Sequence, residues 1–241
     1  MDITPVMNLS RDKVDALLSS VPFYRELMNS GEPWQYDILL QHSRIVNFEP
    51  GEIVMNKGDV DTWMYFVLKG NLLVYPSGNP QDAQDLPIMV TPGEVFGDLA
   101  MLTDGKRMAT VVADKSSREI KVFGTDFSIF GRAEDLSVLS SDTSKLSLKT
   151  KLIFYRNMVH GIRWKLESYK MQHPSHELVA ELRKIPIYTG PKDGMDELLA
   201  LDAQARDLVG LLGQWNREFG ALDESVKSNQ GAINEELVDS L

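Results

Sequence analysis

The hydrophobic positions of this chain change their period twice. Residues 10–41 repeat at helical spacing, with Val14, Leu17 and Leu18 following Ser10, a residue type suited to an N-cap. Pro22 restarts the pattern, which Phe23, Tyr24 and Leu27 continue, and Gly31 and Pro33 interrupt it before Ile38, Leu39 and Leu40. From Arg44 to Phe123 the pattern becomes one of short strands: Arg44–Phe48, Glu52–Met55, Trp63–Leu68, Leu72–Tyr75, Leu86–Val90, Ala109–Ala113 and Glu119–Phe123. Pro50-Gly51, Gly58-Asp59 and Gly70 read as turns, and Pro76 to Gln84 as a polar loop. Many short strands separated by Gly/Pro turns predict a sandwich or barrel. From Thr125 the helical pattern returns, with the Ser-rich stretch Ser137 to Ser144 as a loop or helix start.

Two long seams follow. Leu148, Leu152, Tyr155, Val159, Ile162, Leu166 and Tyr169 recur at alternating steps of 4 and 3, a coiled-coil-like stripe along roughly 33 Å of helix. Pro174 ends it, Ser175 is placed to cap a short helix to Ile185, and Thr189 to Gly194 form a loop. The second seam comprises Leu198, Leu201, Ala205, Leu208, Leu212, Trp215, Phe219 and Leu222, and two seams of opposite charge in one chain suggest an internal antiparallel pairing, compatible with a dimer. Gly210 and Gly213 each cost about 1 kcal/mol of helix propensity relative to alanine and suggest close helix approach. The last fifteen residues read as frayed and acidic.

Charge sharpens this picture. The 241 residues carry a net charge of -10 and no cysteine, which argues against wrapping nucleic acid and excludes disulfide or thiolate chemistry. The distribution is uneven: residues 1–144 are net -9, residues 145–170 net +6 and residues 171–241 net -7. The basic face, made by Lys145, Lys149, Lys151, Arg156, Arg163, Lys165 and Lys170, is expected to be solvated or to meet the acidic tail. Nothing reads as a signal peptide or an apolar span of membrane length, so a cytoplasmic protein is expected.

Candidate chemistry concentrates in one run, Phe96-Gly97-Asp98-Leu99-Ala100-Met101-Leu102-Thr103-Asp104-Gly105-Lys106-Arg107-Met108. An acid, a turn of backbone amides and an arginine lie within it. The acid can accept from ribose hydroxyls, the N–H groups of a helix start can face a phosphate, and the arginine can form a two-pronged bond to it. Elsewhere, no Ser–His–acid or paired-carboxylate pattern stands out. Of His42, His160, His173 and His176, the last two in His173-Pro174-Ser175-His176-Glu177 have metal-binding residue types but read as a polar helix start. Trp63 and Phe66 read as strand core. Trp164 lies off the first seam, in a position to meet the β region.

The segment from about Leu17 to Phe130 resembles the cyclic-nucleotide-binding domain of catabolite activator protein, protein kinase A regulatory subunits and nucleotide-gated channels. The resemblance rests on Phe48-Glu49-Pro50-Gly51-Glu52-Ile53 with Gly58-Asp59, on Trp63 to Gly70, and on the run above, with Phe96 and Arg107 at the family's spacing. It implies an α+β fold: an eight-stranded β jelly roll with flanking helices and an α-helical C-terminal extension. The expected divisions are N-terminal helices (1–42), jelly roll (43–124), hinge and basic heptad helix (125–172) and an acidic helical module (173–241). By resemblance, the ligand-binding residues are Phe96, Gly97, Asp98, Leu99, Ala100, Arg107 and Met108. Arg107 grips the cyclic phosphate, the Ala100 N–H adds a second phosphate contact, and Gly97 permits the close approach. Asp98 stands where the family usually has a glutamate for the ribose 2′-hydroxyl and is one methylene shorter. Lys106 replaces a common proline and adds positive charge. Met108 replaces the threonine frequent in guanine-selective members, which favours cyclic AMP over cyclic GMP.

The expectation is therefore a receptor and not an enzyme. It needs no cofactor or metal, its ligand is cyclic AMP, it dimerises through the 148–169 helix, and its helical module engages a protein effector. No helix-turn-helix follows the basic helix, so DNA is not expected as a partner. Two alternatives stay open: a ligand-free scaffold with a degenerate pocket, and a cyclic-dinucleotide receptor.

Overall fold

The computed structural model describes residues 1–81, 87–103, 105–130 and 146–238. Strand β1 (Asp2–Pro5) precedes three helices, α1 (Arg11–Leu18), α2 (Pro22–Met28) and α3 (Pro33–Gln41). Eight strands follow: β2 (Ser43–Phe48), β3 (Ile53–Met55), β4 (Trp63–Lys69), β5 (Leu72–Tyr75), β6 (Ile88–Val90), β7 (Val95–Phe96), β8 (Thr110–Ala113) and β9 (Ile120–Asp126). Helices α4 (Leu148–Gln172), α5 (Leu178–Lys184) and α6 (Met195–Val238) follow, and short 3-10 helices lie at Val6–Asn8, Asp98–Leu102 and Phe127–Phe130. The strands form a five-stranded sheet, β1-β2-β9-β4-β7, and a four-stranded sheet, β3-β8-β5-β6, as expected for the jelly roll with flanking helices.

Alternation along the strands separates two cores. On β2, Val46 and Phe48 face the space between the sheets, and on β4 so do Tyr65 and Val67. Ile45, Met64 and Phe66 point the other way, into a cluster shared with α1 to α6. The expected divisions at 42 and 124 therefore cross one continuous apolar core. Tyr24 ties the layers together: its hydroxyl lies 2.5 Å from Thr125 Oγ1, which is also 3.1 Å from Ser43 Oγ. These bonds keep Thr125 in β9, where the periodicity had placed the return to helix.

Several local readings change. β1 and β7 escape a periodicity reading because they are four and two residues long, and pairing alone defines them. Ser10 precedes α1 in extended conformation, but its side chain makes no capping bond. The short helix α5 starts after Glu177 rather than Ser175. The stretch Ser137 to Ser144 and Lys145 lie outside the described residues. The backbone is helical to Val238, beyond the point where fraying was expected. A Cβ on Gly210 would meet nothing within 4 Å, so close approach does not explain that glycine. Trp164 is 63% exposed.

The first seam behaves as an apolar stripe but meets a different partner. Leu152, Tyr155, Val159, Ile162 and Leu166 are buried, as are Leu198, Leu201, Ala205, Leu208, Leu212 and Trp215, in the same cluster. The surface expected to join a second copy is covered by α6 of the same chain. The pairing is parallel and not antiparallel as the opposite charges of the two seams suggested: Arg156 bonds Glu197, Tyr155 bonds Asp202, and Tyr169 bonds Asn216. Residues 173–194 carry the chain back along α4. One residue of the basic face meets the acidic module here: Arg156 pairs with Glu197 at 2.6 Å and Asp193 at 2.9 Å, while Lys149 donates to the Ser30 carbonyl and Lys151 is buried. Among the described residues, no helix is long and apolar enough to cross a membrane.

Candidate functional site

Chain reversal after β7 builds the site. Gly97 has φ +76°, left-handed backbone that favours glycine, and a Cβ there would lie 2.7 Å from Arg107 Nη1 and 3.1 Å from the Trp63 carbonyl. Without that carbon the arginine packs against the turn and donates to the Gly97 carbonyl at 2.9 Å. A single-turn 3-10 helix, Asp98–Leu102, follows. The N–H groups of Thr103 and Gly105 close it onto the Ala100 carbonyl at 3.2 and 2.8 Å. The β3–β4 loop straps the segment in place: the Arg107 N–H donates to Asp59, and the Gly58 N–H to Arg107.

Arg107 is 2% exposed and Asp98 3% exposed. The Arg107 Nη2 donates to the Trp63 carbonyl at 2.6 Å and to Asp61 Oδ2 at 2.9 Å. The other Asp61 oxygen accepts from the N–H groups of Thr62 and Trp63 at 2.6 and 3.3 Å. On this pair, Arg107 Nε and Asp98 Oδ1 are buried without a hydrogen-bond partner among the described residues. A buried group left in this state costs about 1–3 kcal/mol, and such groups mark places where water, strain or a ligand completes the bonding.

The other expected site residues fall on two sides of this pair. Phe96 lies in the inter-sheet core, stacked on Tyr65 with centroids 5.2 Å apart. Ala100 is buried in the helix-side cluster, with Leu99, Met101 and Met108 packed against it. Helix α6 touches the 3-10 helix directly. Met108 therefore packs toward the helices, and Lys106 is exposed. Asp61 is the residue that sequence reading missed. It lies 46 positions from Arg107, and the only local signal was its place just after the Gly58-Asp59 turn.

Residues 45–130 match the family model described as the cyclic nucleotide-binding domain. The match spans the jelly roll from β2 through β9 to Phe130 and no more of the chain. Over 92 residues, 38% of this chain, the protein is 35% identical to the potassium/sodium hyperpolarization-activated cyclic nucleotide-gated channel 3 of Homo sapiens, covering 11% of it. Over 128 residues, 53% of this chain, it is 31% identical to patatin-like phospholipase domain-containing protein 6 of Homo sapiens, covering 9% of it. The chain thus spans about a tenth of the length of these curated relatives. Among solved structures, it is similar to the regulatory domain of Toxoplasma gondii PKA, crystallised with cAMP. That likeness has a TM-score of 0.41 and 22% identity, over 56% of this chain and 50% of that one.

Chemically, the matched segment presents one buried guanidinium and one buried carboxylate, each with a bond unmet among the described residues. A ligand offering an anion to the first and a hydroxyl to the second would complete both. The guanidinium already faces Asp61, so an entering phosphate must share or displace that carboxylate.

Proposed function

We propose that the protein is a cyclic-nucleotide receptor, with cyclic AMP preferred to cyclic GMP, and that it signals without catalysing a reaction. The observation that carries this reading is the pair of unmet buried atoms, Arg107 Nε and Asp98 Oδ1, at a left-handed glycine turn inside a cyclic nucleotide-binding domain. Arg107 would take the cyclic phosphate and Asp98 a ribose hydroxyl. Leu99 and Ala100, between the ligand turn and α6, would report occupancy to the helices as a population shift. A protein effector would engage those helices. A homodimer would use the outer face of α4, since its apolar seam is covered within the chain. A cytoplasmic setting suits such a receptor.

A second reading is supported by the Asp61–Arg107 pair. An internal carboxylate already occupies the position of an anionic ligand, as in a scaffold that keeps the fold without binding. Calorimetric titration with cyclic AMP, cyclic GMP and cyclic di-GMP separates the two readings. Saturable cyclic AMP binding that disappears in Arg107→Ala supports the receptor. No heat from any of the three nucleotides would leave the scaffold.

A further inference from the structure

A second arginine faces the same interior. Across the five-stranded sheet, Arg44 pairs with Gly124, Gly124 with Tyr65, and Tyr65 with Phe96. Opposed residues of antiparallel strands share a face, so this row lies on the inter-sheet side with Val46, Phe48 and Val67. Gly124 makes the row possible. A Cβ there would lie 2.8 Å from Tyr65 Cε1 and 3.2 Å from Trp63 Cε3. Both rings therefore lie over the glycine, and Arg44 reaches across it. Its guanidinium carbon sits 3.7 Å from the centroid of the Trp63 ring, and Nη2 donates to Tyr65 Oη at 2.8 Å.

The two arginines differ in their charge balance. Arg107 is paired with Asp61. Arg44 has no carboxylate within ion-pairing distance among the described residues, and its Nε is buried without a partner. Tyr65 does not neutralise it, because burial holds the phenol above its ordinary pKa despite the bond from Arg44. A half-buried guanidinium without a counter-ion is costly, yet stacking and hydrogen bonding hold this one in place. Trp63 links the two heads: its carbonyl accepts from Arg107 and its ring carries Arg44. Arg44 lies one residue before the segment matched to the family.

We propose that Arg44, seated on Trp63 and Tyr65, is the second cation of the nucleotide site and supplies the positive charge toward the cyclic phosphate that Arg107, paired with Asp61, does not have free. The inference rests on the cyclic-nucleotide reading and adds a specificity residue to it: Arg44 selects for the phosphate and not for base or sugar. A further positive charge acting on a phosphate in a partly desolvated interior is worth about tenfold or more in affinity.

The test compares wild type, Arg44→Met, Arg44→Gln and Arg44→Lys, each titrated with cyclic AMP and with adenosine, which lacks the phosphate. Thermal unfolding without ligand checks the fold. Methionine keeps the length, glutamine keeps a donor for Tyr65, and lysine keeps the charge. Both neutral variants are expected to weaken cyclic AMP about tenfold, to change adenosine less than about twofold and to flatten the salt dependence of cyclic AMP binding, while lysine stays within about threefold of wild type. Should methionine fail to fold, glutamine carries the comparison. Unchanged cyclic AMP affinity in the neutral variants would overturn the proposal and leave the receptor intact. Equal weakening of both ligands would make Arg44 a purely structural residue. Absence of any binding by wild type would defeat the receptor reading itself.

Discussion

Asp98 carries opposite demands in the free and liganded protein. Its Oδ1 is buried without a partner, a stability cost in the free state that a ribose hydroxyl would remove. Such conflicts concentrate where a site is prepared for its ligand. Asp98→Asn keeps the shape and removes the charge. The expected outcome is an unliganded melting temperature no lower than wild type, together with about tenfold weaker cyclic AMP binding, because a hydrogen bond to a charged acceptor is worth about twice a neutral one. Differential scanning fluorimetry with and without nucleotide reads both. A marked loss of stability without ligand would instead assign Asp98 a structural role. Arg107 was legible in the sequence because it follows an acid and a turn of backbone amides in one short run, and Gly97 through the resemblance that run carries. Asp61 was not, because it reaches Arg107 from a loop 46 positions away, nor was the seat of Arg44 on Trp63, which strand pairing creates.

Among the elements, the decisive contact is the pairing of α4 with α6. Its mixed character is visible in Arg156, which bonds both Glu197 oxygens, and in Tyr155, which donates to Asp202 at 3.1 Å. The hydrogen bond from Arg156 is the largest influence on Glu197 and holds its carboxyl below the ordinary value. A carboxylate shifted in this direction contributes stability that is present above its unfolded value, near ~4.3, and lost as pH falls through the lower folded value. Arg156→Met is therefore expected to cost about 1–2 kcal/mol at neutral pH, allowing for the arginine's partial exposure, and little at acid pH, where Glu197 is protonated. Chemical denaturation at the two pH values checks this. An equal loss at both would mean that packing of the arginine stem, and not charge, holds the helices. The periodicity made both helices legible, since the apolar stripe is a property of each helix alone. It could not tell parallel from antiparallel, since either direction buries the same stripe.

The whole molecule places α6 against the turn that would hold the ligand. Leu99, Ala100 and Met108 pack into the cluster that contains Leu208, Leu212 and Trp215. Any ligand that moves the 3-10 helix must disturb that packing, and a disturbance of α6 must alter ligand affinity by the same coupling energy. Amide hydrogen exchange along residues 195–215 is thus expected to change severalfold when wild type is saturated with cyclic AMP. The same addition to Arg107→Ala should change nothing. Identical protection in free and saturated wild type would disconnect the helices from the site.

The sequence by itself determined what depends on neighbours along the chain. The short strands and their glycine turns, the run from Phe96 to Met108 and the two apolar seams all follow from spacing within a few residues, where backbone geometry links position to face. Tertiary structure alone decided what depends on closure. It set Asp61 on Arg107 and laid Arg44 across Gly124 onto Trp63. It covered the first seam with α6 in parallel and added β1 and β7 to a sheet whose pairing defines them. These contacts join residues tens of positions apart, and their free energy comes from desolvation and charge pairing in a shared interior, which no local pattern encodes.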